Sequence, residues 1–375
     1  MKISTNEIIF FFFLLVFGGL TLAYFNVPGW LDPDSYGFFN QNCHKTSDIE
    51  TPILSYFVFQ SLPCDEIVWK TFGFFLIFAI FSSFFYSCKK LGIPSKYSFI
   101  FGLSGYIIGF LWSPEDDLLA YPILIASSFW LLEKPKQRII PYSIIGLLIG
   151  SLVWKGAFLI MGLIILGIIH PLAALVGILY YSPSFFNSWG NSAEVVWGGG
   201  FVINNFILLP VLVILFLAKI PTHLKTILFT LMILVFFQPK WGEYLIIPCL
   251  AIIAIYRENI KKHENIIPII SIIMIILFSC FLFLTITPTI NQWKVINESV
   301  KIQKNGGILY NDWGVGHHLE YAGGKPSQKG GYHGYYNPRE DVFYYLGFGI
   351  KFTGYNCKTI NEKDGLSIQE CIKNP

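Results

Sequence analysis

Long stretches of this chain carry almost no polar break. Apolar and aromatic side chains dominate 7–25 and 67–88, each near the ~20 residues that a helix needs to cross the ~30 Å hydrocarbon layer of a bilayer. Runs of the same kind recur at 97–112, 118–133, 139–154, 156–169, 172–181, 201–218, 226–238, 244–256 and 266–286. Together they predict about eleven transmembrane helices. His170-Pro171 interrupts the run from 156 to 181, because proline lacks the amide hydrogen and clashes with the preceding turn, so this stretch reads as two short passes or one kinked span. The first run is too long for a signal-peptide core and lacks a small-x-small cleavage site, which predicts a retained signal anchor. From about residue 287 the pattern changes to Gly, Tyr, Asn and Lys, with strand-like runs at 307–310 and 341–345 between turn signals. The expectation is a transmembrane domain over 1–286 and a small mixed α/β domain over 287–375, near the lower size limit for an independent core.

Composition sharpens the class. Of 375 residues, 54% are hydrophobic, 18% aromatic and only 13% charged, which a soluble domain of this size does not need. A net charge of +3, with no basic run interleaved with aromatics, gives no footprint for nucleic acid. With a cytoplasmic amino terminus, the inner loops carry Lys2; Lys89, Lys90 and Lys96; Lys134, Lys136 and Arg138; Lys219 and Lys225; and Arg257, Lys261 and Lys262. The outer loops before the last span carry only Lys45, Lys70, Lys155 and Lys240. This asymmetry is the one the positive-inside rule requires, and it favours two passes around His170-Pro171.

That orientation, set by basic residues alone, puts a series of acidic and polar stretches on the opposite face. They are Asp32 and Asp34 in Asp-Pro-Asp-Ser-Tyr36, Glu115, Asp116 and Asp117 after Ser113-Pro114, and Glu194 in Asn-Ser-Ala-Glu. Lys240-Trp241-Gly242-Glu243 and the tail join them. Solvated loop ends are the ordinary alternative, yet ionisable groups gathered at one membrane surface point to function. Carboxylates from separate loops, without paired histidines or thiolates, make a hard-oxygen site suited to Mg²⁺ or Mn²⁺. Such an ion is most useful where charge develops on a phosphate leaving group. At an outer face the simplest phosphate-bearing donor is lipid-linked, with Lys240 as its electrostatic clamp and Glu194 as the carboxylate that engages a weak nucleophile. A lysine snorkelling to lipid headgroups is the ordinary reading of Lys240.

The ordered set of outer-loop motifs resembles the oligosaccharyltransferase catalytic subunit family, within the C-type superfamily of glycosyltransferases. Asp32-Pro-Asp34-Ser-Tyr36 is similar to its first-loop acidic motif, with Asp34 the better match. Glu115-Asp116-Asp117 is similar to the acid-x-acid motif of the second outer loop, and Trp154-Lys155-Gly156 to a Trp-Gly-Gly that closes a later span. Asn191-Ser-Ala-Glu194 resembles the Thr-Ile-x-Glu motif of the fifth outer loop, and Lys240-Trp241 the Arg-Phe stretch that holds the donor phosphate. Tyr310-Asn311-Asp312-Trp313-Gly314 stands where the family carries WWDYG. The resemblance implies a metal held by Asp34, Glu115, Asp117 and Glu194, with Asp34 and Glu194 also engaging the acceptor. It implies acceptor reading by Asp312 and Trp313, with Asp32 and Asp116 as additional acids. The chain departs from the family in its small tail, in Tyr310-Asn311 for the paired tryptophans, and in lysine for arginine at 240, which gives up bidentate geometry but keeps the charge.

The expected protein is therefore a polytopic membrane glycosyltransferase. It moves a saccharide from a polyprenyl (pyro)phosphate carrier to an outer-face acceptor, foremost a protein asparagine. A polyprenyl-phosphate-monosaccharide enzyme acting on a lipid, polymer or hydroxyl side chain is the second reading. A transporter predicts mid-bilayer acids and an inverted repeat, which the sequence does not carry; an inactive scaffold predicts indifference to loss of Asp34 and Glu194. Cys43 and Cys64 in the first loop and Cys357 and Cys371 in the tail allow two disulfides in an oxidising compartment, with three pairings open. His317-His318, after a turn glycine, reads as a surface or capping pair, and Asn297-Glu298-Ser299 is a glycosylation acceptor triplet.

Overall fold

The computed structural model describes residues 33–44, 51–94, 116–173, 212–237, 241–261, 288–327, 338–349 and 351–375. In chain order the longer helices are α1 (Pro33–Cys43), α2 (Ile53–Gln60), α3 (Glu66–Lys90), α4 (Asp116–Glu133), α5 (Pro135–Ile144), α6 (Gly156–Ile169), α7 (Thr222–Phe237), α8 (Trp241–Ile255), α9 (Ile290–Lys304) and α10 (Trp313–Tyr321). The strands are β1 (Leu309–Asn311), β2 (Val342–Gly347), β3 (Tyr355–Lys363) and β4 (Leu366–Lys373). The chain is mostly helical with a small mixed sheet. The apolar runs at 67–88, 118–133, 139–154, 156–169, 226–238 and 244–256 all coincide with helices. Those at 7–25, 97–112 and 266–286, and most of 172–181 and 201–218, lie outside the described residues.

Among the described residues, α3 is the one helix long and apolar enough to cross a membrane. Its 25 residues span about 37 Å, more than the hydrocarbon layer. Its ends are set locally. Asp65 Oδ1 accepts from the amides of Ile67 at 2.7 Å and Val68 at 3.2 Å, and Lys89 and Lys90 occupy the last turn, where cations oppose the helix dipole. Gly92 (φ 68°) then lets Ile93 N–H reach Cys88 O at 2.8 Å and Gly92 N–H reach Lys89 O at 3.2 Å, a Schellman closure.

The described residues divide into two compact units, one within Thr51–Val58 and Trp69–Thr285, the other within Asn26–Glu50, Phe59–Val68 and Ile286–Pro375. The first is a helical bundle around a continuous apolar core that includes Phe84, Tyr121, Phe129, Ile160, Ile227 and Ile252, all fully shielded from solvent. Small residues allow its close approaches. A side chain at Gly167 of α6 would meet Ile227 of α7 at 2.2 Å, and one at Gly146 would meet Met161 at 2.6 Å. After Pro141 the helix widens into a π turn at Ile145–Ile149 before resuming at Gly150–Val153. α6 stops at His170, whose backbone is extended (φ −150°, ψ 107°) ahead of Pro171, the conformation that a following proline favours.

In the second unit the sheet order is β1-β2-β4-β3, with β1 parallel to β2 and the other pairs antiparallel. α9 starts at a capping box between Thr289 and Gln292 and buries Val295, Ile296 and Val300 in a core with Leu309, Leu346 and Ile368. Phe343, Tyr345 and Cys371 form a separate core with Phe352 and Tyr355 packed against it. Asp364 (φ 50°) and Gly365 (φ 81°) make the two-residue β3–β4 turn, the left-handed pair that a tight hairpin selects. Cys357 pairs with Cys371 across that hairpin, and Cys43 with Cys64 at the end of α1, so both disulfides belong to this unit.

Candidate functional site

The most specific junction in the second unit is the packing of α1 on α10, elements nearly the whole chain apart. Asn40 is its hub. The buried Nδ2 of Asn40 donates to Glu320 Oε2 at 3.2 Å and to the His317 carbonyl at 3.4 Å, while its Oδ1 lies 3.1 Å from His44 Nδ1. Glu320 Oε2 also lies 3.6 Å from His317 Nδ1, and both side chains are buried. Phe39 meets Tyr321 edge-on with centroids 5.5 Å apart, and Phe38 stacks on Phe59 at 4.7 Å. Asn42 Nδ2 donates to the carbonyls of Phe59 at 3.0 Å and Leu62 at 2.9 Å, which with the Cys43–Cys64 disulfide ties α1 to the loop before α3. Tyr321 closes the group by donating to Glu66 Oε2 at 2.8 Å; burial and the adjacent Glu66 carboxylate push its phenol well above the ordinary range.

This packing brings two of the predicted motifs into one unit. Asp34 is the second residue of α1. Asp312 is the amino-terminal cap of α10 (φ −65°, ψ 149°) and Trp313 its first residue. Asp312 is held by its amide, which donates to Leu346 O at 2.8 Å, and by Asn311 Nδ2, which donates to Asp312 O at 3.0 Å. Asn311 Oδ1 in turn accepts from the amide of Ser327 at 2.9 Å and its hydroxyl at 3.1 Å. Tyr310 donates to Glu340 Oε2 at 2.8 Å, and that bond lowers the Glu340 carboxyl while burial and the bond push the Tyr310 phenol up to about 12.

Asp116 and Asp117 belong to the first unit and open α4. Asp117 is buried, with Oδ1 accepting from the Leu118 amide at 2.7 Å, and Asp116 Oδ1 accepts from the Asp117 amide at 3.0 Å. Both therefore also serve the helix end, where a carboxylate meets the partial positive charge of unmatched amides. One turn on, the buried Tyr121 meets Trp154 edge-on at 6.4 Å. Trp154 is extended (φ −152°, ψ 125°), and its ring covers Gly156, where a Cβ would stand 2.1 Å from it. The Trp-Lys-Gly spacing is thus a packing requirement of the turn into α6.

Asp32, Glu115, Glu194 and Lys240 lie outside the described residues. Among the described residues no group of three or more His, Cys, Asp or Glu side chains is gathered as a metal cage. The expected surface pair behaves otherwise: His317 and His318 are buried, His317 beside Glu320 and His318 edge-on to Trp293 at 5.7 Å. The Asn297 triplet lies inside α9 with Ser299 buried, its hydroxyl donating to Ile296 O at 2.7 Å. Asn40 and Glu320 carried no motif, and only their positions opposite each other reveal them. No family model matches this sequence, and no curated protein or solved structure is significantly similar to it.

Proposed function

We propose that this chain is an integral membrane glycosyltransferase with a C-type-like bundle of about eleven spans, its amino terminus cytoplasmic and its tail extracytoplasmic. It transfers a saccharide from a polyprenyl (pyro)phosphate carrier to an outer-face acceptor, foremost a protein asparagine. The observation that carries this reading is the docking of α1 on α10, which joins the Asp34 motif and the Asp312-Trp313 motif in one unit despite some 280 residues of separation. The two disulfides of that unit add support, because such bonds persist in oxidising compartments outside the cytosol.

The residues divide the work by chemistry. Asp34, Glu115, Asp117 and Glu194 are hard-oxygen donors that fit Mg²⁺ or Mn²⁺, and Asp117 is already oriented by its bond from Leu118 N–H. When bound, such an ion supplies Lewis-acid stabilisation to a phosphate leaving group. Asp34 and Glu194 accept hydrogen bonds from the acceptor nucleophile, Lys240 holds the donor phosphate by charge, and Asp312 with Trp313 contacts the acceptor. Asp32 and Asp116 are the reserve acids.

One observation favours the second reading, a monosaccharide donor and a lipid, polymer or hydroxyl acceptor. Tyr310 and Asn311 spend their polar groups on Glu340, Asp312 and Ser327, inside the fold. Membranes containing the full chain, supplied in turn with a polyprenyl-pyrophosphate oligosaccharide or a polyprenyl-phosphate monosaccharide and a sequon peptide, separate the two. The wild type is expected to transfer, and Asp34→Asn, Asp117→Asn and Glu194→Gln each to reduce transfer by at least ~100-fold, the scale for groups acting at a transition state. Efficient transfer to lipid with none to peptide selects the second reading. Undiminished transfer by all three variants rejects both.

A further inference from the structure

The first unit carries a second chemically distinct patch, at the carboxyl end of α3 and the junction of α4 and α5. Lys90 Nζ lies 4.1 Å above the Trp130 ring and 5.9 Å from the Tyr86 ring. Tyr86 and Trp130 meet edge-on at 5.9 Å, and Trp130 and Tyr142 at 5.1 Å. Arg138 bonds the Trp130 carbonyl at 3.3 Å, pairs with Glu133 and lies 5.9 Å from the Tyr142 ring. Lys89, Lys134 and Lys136 flank these residues and are exposed. Five basic side chains therefore stand against one carboxylate, Glu133, which Arg138 already engages. The rim is apolar as well as basic, with Phe85 44%, Tyr86 55%, Ile140 72% and Ile144 49% exposed.

This combination has a specific physical use. Tryptophan and tyrosine settle at the level of lipid headgroups, and clustered lysines beside them attract anionic lipids. A lysine held over an indole is kept at that level, while exposed Phe and Ile offer the acyl chains a surface. The Trp130 indole N–H, shielded from solvent, meets no acceptor among the described residues. The position is the end of α3, the one membrane-length helix among the described residues, where a headgroup layer would lie.

The geometry points to a binding site for the headgroup of an anionic phospholipid on the Lys89, Lys90, Lys134, Lys136 and Trp130 rim. The site needs membrane insertion and is independent of any glycosyl transfer, so its success or failure is separate from that of the proposed enzyme. Native mass spectrometry of the full-length protein, titrated in detergent with phosphatidylglycerol or phosphatidylcholine, reads it directly. The wild type is expected to retain phosphatidylglycerol in preference, and Lys90→Gln/Lys134→Gln/Lys136→Gln to lose roughly tenfold or more of that preference, since each lysine near an anionic surface contributes a factor of about five. Lys134→Gln/Lys136→Gln, at two exposed positions, is expected to fold normally and lose part of it, and the matching arginine variant to keep it. Inorganic phosphate is expected not to compete. No preference in the wild type, full preference in both glutamine variants, or displacement by inorganic phosphate would each overturn the assignment.

Discussion

At the scale of single residues, the polar groups that matter most are those that bind partners far along the chain. Asn40 satisfies Glu320 and a His317 carbonyl from a buried position, so replacing it by alanine leaves buried acceptors without that donor. Asn40→Ala is expected to destabilise the second unit by about 1–3 kcal/mol, read as earlier thermal unfolding and faster proteolysis around α1. Unchanged protection of α1 would show that the bond does not hold it. The Tyr310–Glu340 bond makes a pH-dependent prediction with two limbs. Glu340, lowered in the fold, contributes stability that is present above its ordinary carboxyl range near 4.5 and is lost as pH falls through the lowered value. Tyr310, raised to about 12, contributes stability that is present below its ordinary value of 10 and is lost as pH rises from 10 through about 12. The difference in thermal midpoint between wild type and Tyr310→Phe should be greatest between about pH 5 and 10 and shrink on both sides, with a maximum worth about 1 kcal/mol for a partly exposed bond. A difference independent of pH would assign the effect to packing.

Elements were far easier to read from the sequence than contacts. Unbroken apolar runs at 67–88, 118–133, 156–169 and 226–238 correspond to α3, α4, α6 and α7 because a helix length of greasy residues has few other folds available. Pro171 announced the end of α6 through its own missing amide. The cysteine pairing was not legible, since three pairings satisfy the same count and only the approach of α1 to the loop at Cys64 and of β3 to β4 chooses one. The burial of His317 and His318 was hidden for the same reason, as the surfaces that cover a helix belong to distant segments. Gly167 likewise looked like an ordinary apolar-run residue until α7 was seen against it. Gly167→Leu is expected to force α6 and α7 apart and to cost about 1–3 kcal/mol or more, while Gly167→Leu with Ile227→Ala should recover part of the loss. Measured in detergent by thermal unfolding, equal destabilisation in the single and double variants would mean that the two positions do not oppose each other.

At the scale of the whole molecule, the proposed sidedness draws on three unrelated features. The positive-inside rule would place the basic loops inward, a series of acidic stretches then falls on the proposed outer face, and both disulfides lie in the unit that holds the described parts of the first loop and the tail. On the proposed reading each would have a different cause: insertion bias, the needs of a site, and the redox state of a compartment. A glycosyltransferase of the proposed kind requires all three to agree, since its donor lipid, its carboxylates and its acceptor must share the extracytoplasmic side. Single cysteines report this directly in a Cys280→Ser background, because Cys88 and Cys249, the free cysteines among the described residues, are buried and contribute little background. Lys358→Cys, on exposed β3, is expected to react with a membrane-impermeant maleimide in intact cells, and Lys136→Cys, on exposed α5, only after permeabilisation. If Lys136→Cys reacts in intact cells and Lys358→Cys does not, the carboxylates face the cytosol, where soluble nucleotide sugars are abundant, and the lipid-linked donor loses its rationale. The experiment thus tests the premise from which the donor class was deduced, and does so without measuring transfer.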